Sequence, residues 1–148
     1  MRYQDTGSRV LVEEKFSDAK VQRAIAAPVT AVLATINPDG SPLATPMWYV
    51  PDARGIGMVS IDGLQKIHNL RRDPRVSVVV ETDVAGGPQC VIIQGTVEFL
   101  DSSSDRAALG AAFVDKYGEE IEKRWGGRAV PRDRVLFRIL PGRVKLWG

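Results

Sequence analysis

The segment from Gly57 to Glu81 constrains the fold of this chain more than any other stretch. Its sequence, GMVSIDGLQKIHNLRRDPRVSVVVE, predicts a strand, a tight turn, a short helix, a proline stop and a second strand. Lys66 falls in the first turn of this helix, where the positive end of the peptide dipole disfavours a cation. A lysine there becomes favourable when an anion lies between it and the free backbone N–H groups. The segment is therefore predicted to hold a phosphorylated ligand.

Composition limits the classes of protein to which the chain can belong. With 148 residues and 44% apolar content, it is long enough for one domain with a proper core and short for two. A formal net charge of +2 gives no general preference for nucleic acid. One histidine and one cysteine cannot build a His/Cys zinc site. No signal peptide and no run of roughly 20 apolar residues is visible, so we expect a soluble cytoplasmic protein.

Strand patterns dominate the chain, and helices serve as connectors. We predict strands at 29–37, 42–50, 57–61, 76–80, 89–100 and 134–147, with helices at 17–27, between 63 and 73, at 103–117 and at 119–125. Six strands with short connections favour a mainly β protein with connecting helices (α+β), built as a small barrel, over alternating βαβ units. We expect an N-terminal arm at 1–16 and a single domain at 17–148.

Several local signals refine this prediction. Asn37-Pro38-Asp39-Gly40 has the residues of a type I turn, which predicts a hairpin. Pro42 and Pro46 cannot donate a ladder hydrogen bond, so they indicate an edge or a bulge, and Gly95 indicates a bulge or a close backbone approach. The helix inner faces are predicted from their apolar residues: Val21, Ala24 and Ile25 in the first, and Ala108, Ala112, Phe113 and Tyr117 in the third. Ser17 is expected to cap the first helix, and Ser102 or Ser103 the third.

Candidate site residues cluster around Lys66. Gln65, Lys66 and the turn amides from Ser60 to Leu64 are placed to bind a phosphate, although a solvated surface lysine is the simpler alternative. Trp48 and Tyr49 can pack against a conjugated ring, or they can be ordinary core aromatics. The chain has few acid/base groups in any recognisable constellation, so a bound cofactor is expected to carry the chemistry.

Three runs together resemble a known family: LATINPDGSPLATPMWYV, GMVSIDGLQKIHNLRRDPRVSVVVE and VIIQGTVEFL. They are similar to the pyridoxamine 5′-phosphate oxidase-like split β-barrel superfamily, and most like its flavin/deazaflavin oxidoreductases of actinobacterial type. The resemblance implies a six-stranded FMN-binding split barrel and a homodimer with a cofactor at each subunit boundary.

The same resemblance assigns roles to individual residues. It implies that Lys66 contacts the cofactor phosphate and that Ser60 and the main chain near Ile61 approach the cofactor. It implies that a segment of the second strand lies along the ring, namely Pro46, Met47, Trp48 and Tyr49. It also implies that Trp147 lies near the site.

The chain departs from the oxidases of this superfamily in ways that change the expected activity. Those oxidases carry Ser-Arg-Lys where this chain has Leu64-Gln65-Lys66, and glutamine cannot replace the bidentate charge of arginine. The tail also lacks the Arg-x-His segment that they use on pyridoxamine. We therefore expect no pyridoxamine phosphate oxidation.

The leading hypothesis is a reductase that uses coenzyme F420, a deazaflavin with an acidic tail, to transfer a hydride to a small unsaturated substrate. The basic residues Arg71, Arg72 and Arg75 are expected to suit that tail. One alternative is an FMN-dependent oxidoreductase of the same fold. Another is a non-catalytic carrier of a flavin, deazaflavin or haem-like ligand.

A second basic cluster follows the third helix. It contains Lys123, Arg124, Arg128, Arg132 and Arg134. Solvated loop charges are the simplest interpretation, and guidance of an acidic cofactor tail or an anionic substrate is the next. Nucleic-acid binding ranks last, because neither interleaved aromatic residues nor a helix-turn-helix pattern supports it.

Overall fold

The computed structural model describes residues 2–4, 10–82 and 84–148, which form one curled antiparallel sheet with four helices. In chain order the elements are β1 (Arg2–Gln4), β2 (Val10–Glu14), α1 (Ala19–Ala26), β3 (Thr30–Ile36), β4 (Pro42–Asp52), β5 (Gly55–Ile61), α2 (Gln65–Arg72), β6 (Arg75–Glu81), β7 (Cys90–Phe99), α3 (Ser103–Tyr117), α4 (Glu119–Trp125) and β8 (Arg134–Trp147). The sheet order is β1-β2-β8-β5-β4-β3-β6-β7, and β8 also pairs with β7. The predicted class, a mainly β split barrel with connecting helices, is confirmed.

The strand count differs from the prediction at the N-terminus. All six predicted strands are present, as β3 to β8, and they form the closed ring of pairings. The arm adds two strands that were not predicted, β1 and β2, and β2 pairs with the end of β8 from Leu11 opposite Trp147 to Glu14 opposite Val144. The five residues of β2 are too few to show a periodic pattern in the sequence. They form a strand because they pair with β8, which is distant in the sequence.

The predicted turn and bulge are both present. The Gly40 N–H donates to the Asn37 carbonyl at 2.9 Å, with Gly40 at a φ of 86°, which closes the β3–β4 hairpin. The register between β7 and β8 shifts at Gln94/Gly95. A Cβ on Gly95 would lie 1.9 Å from the Leu140 carbonyl oxygen, so the two backbones approach too closely for any side chain.

The helices follow their predicted ranges with two corrections. The N-cap of α1 is Asp18 and not Ser17, because the Asp18 carboxylate accepts the Lys20 N–H at 2.8 Å. In α3 the predicted inner residue Ala108 is exposed, and Leu109 takes its place against the barrel near Gly57. Of the two serines predicted for the cap of α3, Ser102 is the N-cap, and the buried stripe of α1 is confirmed.

Two hydrophobic clusters hold the structure together. The larger one fills the barrel and is capped by α1, with Tyr49, Met58 and Phe137 among its fully buried side chains. The smaller one lies outside the barrel wall, where α3 and α4 cover β4, β5 and β8 around Phe113 and Leu136. No helix in the described ranges is long and apolar enough to cross a membrane.

Strand β4 changes its partner at Tyr49. From Pro42 to Trp48 it pairs with β3, and from Tyr49 to Asp52 it pairs with β5. Pro42 and Pro46 therefore lie on a stretch that has a neighbour on one side only, as their missing N–H groups predict. The barrel is split between the first part of β4 and the last part of β5.

Side chains from the end of α3 satisfy the backbone groups at this partner change. The Tyr117 hydroxyl accepts the Tyr49 N–H at 2.9 Å and contacts the Val29 and Tyr49 carbonyl oxygens at 2.7 and 2.9 Å. The Lys116 ammonium donates to the Tyr49 carbonyl at 3.0 Å and lies 3.7 Å from the Tyr49 ring centroid. We call Lys116, Tyr117 and Tyr49 the strand clamp, because together they fix α3 to the split.

Replacing Gly95 by alanine is expected to destabilise the protein by about 1–3 kcal/mol or more, since its Cβ would meet backbone atoms that have no room to move. Urea unfolding measures the loss. Thr96→Ala, at the exposed neighbouring position on β7, is the control and should cost little. Equal midpoints for the two variants would contradict the close approach.

The strand clamp predicts a pH dependence of stability. Burial lowers the pKa of Lys116 from 10.5 to about 8, so between pH 8 and pH 10 the unfolded chain binds more protons than the folded chain. The free energy of unfolding should therefore rise across that window, by on the order of 1 kcal/mol because Lys116 is only half-buried. Above this window the gain should reverse, because burial raises the pKa of Tyr117 to about 12 and also raises that of Tyr49.

Urea titrations at several pH values test this dependence. Lys116→Met should remove the rise between pH 8 and pH 10, whereas Lys123→Met, at an exposed lysine of α4, should keep it. A rise of the same size in Lys116→Met would assign the pH dependence to another group.

Candidate functional site

A pocket of about 540 Å³ opens at the split in the barrel. Its barrel side contains five of the residues that the sequence predicted for a cofactor site: Pro46, Met47, Trp48, Ser60 and Ile61. These residues come from two strands that run side by side without pairing, because β4 and β5 pair only from Tyr49 opposite Met58 onwards. The partner change in β4 is therefore what creates the pocket.

Lys66 lies beside this pocket, at the second position of α2. Its ammonium group contacts the Met47 sulfur at 3.1 Å, and burial lowers its pKa. It makes no ion pair with any described residue. The N-cap of α2, Leu64, supplies no side-chain hydrogen bond, so the first N–H groups of the helix have no cap from that side chain. These features fit a phosphate. The Lys66 ammonium, whose acceptor is only a sulfur, and the uncapped N–H groups at the start of α2 lie close together, and both can bind phosphate oxygens.

Three predicted site residues are not brought to the pocket. Tyr49 is fully buried on the opposite face of β4, where its hydroxyl donates to the Ile25 carbonyl at 2.6 Å. Gln65 donates its side-chain N–H to Asn69 at 2.9 Å. Trp147 lies on the last part of β8, opposite Leu11 and Cys90, and does not line the pocket in this chain.

The other wall of the pocket comes from the helices, and sequence reasoning did not assign it to the site. Phe113, Ile121, Arg124 and Trp125 line it from α3 and α4, with Arg134 at the start of β8. The available signal was that the aromatic residues Phe113 and Trp125 lie close in the sequence to the basic cluster that begins at Lys123. Only the docking of α3 and α4 on the barrel shows that both belong to one surface.

Trp48 joins the two walls. Its ring stacks on Tyr117 with centroids 4.3 Å apart and an interplanar angle of 6°, and the Arg124 guanidinium carbon lies 4.1 Å from the Trp48 ring. Tyr117 is itself part of the strand clamp, where its hydroxyl bonds the backbone of Tyr49 and Val29. The orientation of Trp48 is therefore fixed by aromatic stacking and cation–π contact before any ligand binds.

The arginines that line the pocket belong to the second of the two basic groups considered from the sequence. Arg71 pairs with Asp62 at 3.0 Å and Arg75 pairs with Asp73 at 2.8 Å, so both guanidinium groups already have carboxylate partners. Arg72 donates to the Ile36 carbonyl oxygen, which ties α2 to β3. Arg124 and Arg134 line the pocket, and of these two Arg134 contacts Asp133 at 2.6 Å. The expected role of Arg71, Arg72 and Arg75 towards an acidic tail stays a prediction.

The pocket lining contains no carboxylate and no imidazole. His68 is exposed on α2, and the described residues contain no group of three or more His, Cys, Asp or Glu side chains placed to hold a metal. The site can bind and orient a flat anionic molecule, but its lining offers no general acid or base. Chemistry here would need a cofactor that carries it.

Comparison with known proteins agrees with this geometry. The conserved hypothetical protein Rv2991 from Mycobacterium tuberculosis is 27% identical, with a TM-score of 0.74 over 98% of this chain and 89% of that one. An FAD-binding protein from Mesorhizobium loti is 24% identical (TM-score 0.71; 93% and 96% covered), and an F420 reductase is 23% identical (TM-score 0.61; 83% and 94% covered). The family profile described as pyridoxamine 5′-phosphate oxidase matches residues 17–148. The split barrel, the pocket at its opening and this match together place the chain in the pyridoxamine 5′-phosphate oxidase family.

Proposed function

We propose that this protein is a homodimeric reductase that uses coenzyme F420 to transfer a hydride to a small unsaturated or conjugated substrate. The observation that carries the proposal is the pocket itself. A phosphate-suited lysine lies beside it in contact with the lining residue Met47, aromatic and arginine side chains form its helix wall, and its lining contains no carboxylate or imidazole.

The residues present fit a phosphorylated planar cofactor. Lys66 and the N-terminus of α2 would hold its phosphate, and the strand segment from Pro46 to Trp48 would lie along its ring. When bound, the reduced deazaflavin supplies the hydride. The protein would contribute orientation and exclusion of water, and the proton would come from solvent.

The charge distribution favours F420 over FMN. Gln65 is neutral and already bonded to Asn69, so the phosphate end lacks the bidentate arginine of the oxidases. Arg134 adds a guanidinium group to the pocket lining on the helix side, which suits a cofactor with further negative charges. The likeness to an F420 reductase and to an FAD-binding protein supports either a deazaflavin or a flavin.

The proposed dimer is supported by an apolar surface around the pocket. Val29, Val32, Ile61 and Leu64 are the exposed large hydrophobic side chains of the described chain, with exposed fractions of 56%, 43%, 47% and 41%. Ile61 lines the pocket, and Val32 lies opposite Pro46, which also lines it. A second copy that covered this surface would also cover the bound cofactor.

Titration of the purified protein with F420 and with FMN, followed by fluorescence, tests the cofactor. Tight F420 binding, followed by oxidation of reduced F420 in the presence of an unsaturated acceptor, would support the proposal. A yellow purified protein with tightly bound FMN would favour the FMN-dependent alternative. Binding without any turnover across a panel of acceptors would favour a carrier.

Lys66→Ala is expected to weaken F420 binding by about 1–3 kcal/mol, or roughly 5- to 150-fold in Kd, because it removes a charge-assisted contact to phosphate. Fluorescence titration gives the two dissociation constants. Lys15→Ala, at an exposed lysine before α1, serves as the control and should bind as the unmodified protein does. Unchanged F420 affinity in a folded Lys66→Ala variant would contradict the phosphate contact and mean that Lys66 is only a surface lysine.

Val32→Asp is expected to halve the mass measured by sedimentation velocity, because it places a charge in the apolar surface of the proposed interface. Ala53→Asp, in the exposed β4–β5 turn, is the control and should remain dimeric. A protein that is monomeric without any substitution would contradict the dimer.

A further inference from the structure

The helix wall of the pocket has a composition of its own. Phe113 and Trp125 have ring centroids 6.0 Å apart at 42°, and Ile121 lies beside them. Rings and an aliphatic side chain of this kind favour a flat conjugated guest. The barrel wall opposite offers Pro46, Met47 and Ser60, where the proposed cofactor would lie.

Arg124 differs from Lys123, Arg128 and Arg134 of the same basic cluster. Lys123 has Glu120 at 3.7 Å, Arg128 has Glu122 at 2.8 Å and Arg134 has Asp133 at 2.6 Å. Among the described residues the Arg124 guanidinium has neither a carboxylate partner nor a hydrogen bond, and its carbon lies 4.1 Å from the centroid of the Trp48 ring. A guanidinium that packs on an aromatic ring keeps the N–H groups at its own edge available. These N–H groups can bind a carboxylate or a sulfonate in bidentate geometry.

We propose that the helix wall binds the second reactant, and that this reactant is a planar conjugated molecule with an anionic group recognised by Arg124. That the bound molecule is a reactant rests on the proposed function, whereas its planar, anionic chemistry rests on the residues of the helix wall. Phe113, Ile121 and Trp125 supply the apolar contact with the conjugated part. Arg124 is thus a specificity-determining residue that selects acids over neutral molecules of the same shape.

Two fluorescent probes with the same ring system test this selectivity in the cofactor-free protein. The sulfonate 8-anilinonaphthalene-1-sulfonate carries the anion, and neutral N-phenyl-1-naphthylamine lacks it. Each is titrated, and binding is read as energy transfer from the pocket tryptophans to the probe. We expect Arg124→Gln to weaken the sulfonate roughly tenfold and to change the neutral probe less than about twofold.

Arg132→Gln is the matched control. Arg132 is an exposed arginine of the same basic cluster and does not line the pocket, so its loss changes the net charge equally. We expect it to leave both affinities unchanged. Equal losses in the two arginine variants would overturn the proposal, because the effect would then come from general charge.

Two further variants locate the probe. Trp125→Leu should weaken both probes to a similar extent, and Lys66→Ala should leave both unchanged. Loss of sulfonate binding in Lys66→Ala would place the anion at the phosphate position and overturn the assignment to Arg124. Weak binding of both probes to the unmodified protein would overturn it as well.

These outcomes are independent of those for the cofactor, since no assay here contains F420. A sulfonate preference lost only in Arg124→Gln would support the selectivity even if F420 failed to bind. In that case the proposed F420-dependent reductase would be contradicted, and the acid-selective aromatic site would still be supported.

Discussion

The structure depends on the partner change of β4 at Tyr49. A strand that pairs first with β3 and then with β5 must leave a gap where neither neighbour continues, and the pocket occupies that gap. Such a change exposes backbone N–H and C=O groups in a half-buried place, which is costly unless they are bonded. Tyr117 and Lys116 bond them, so the same clamp that stabilises the split also fixes the helix that closes it.

The clamp explains why the pocket has two chemically different walls. Strands β4 and β5 supply the barrel wall, and α3 and α4 supply the aromatic wall only because Tyr117 holds α3 at the split. The small outer cluster around Phe113 and Leu136 then adds apolar burial that favours the same position. Trp48 lies on the barrel wall, and its stacking on Tyr117 links that wall to the helices.

Local chemistry made much of the fold predictable from the sequence, and long-range contacts limited the rest. The Asn37–Gly40 turn, the Gly95 bulge and the Ser102 cap each depend on a few neighbouring residues, and each was predicted. The alternation of side chains along β4 could also have shown that Trp48 and Tyr49 face opposite sides. The helix wall could not be predicted, because Arg124 meets Trp48 and Trp125 meets Phe113 only once α3 and α4 have docked on the barrel, which no local pattern encodes. The bond from Gln65 to Asn69 could not be predicted either, because Asn69 is held in place by its contact with Thr35 on β3.

The two cations at the ends of the pocket share one property that the remaining basic residues mostly lack. Lys66 faces a thioether and Arg124 faces an aromatic ring, whereas Arg71, Arg75, Arg128 and Arg134 face carboxylates. A thioether or a ring stabilises a cation weakly and presents no competing negative charge. An incoming anion would therefore gain a charge-assisted bond without first breaking an ion pair. Soft partners for both cations thus leave two separate positions open to anions, one at Lys66 and one at Arg124.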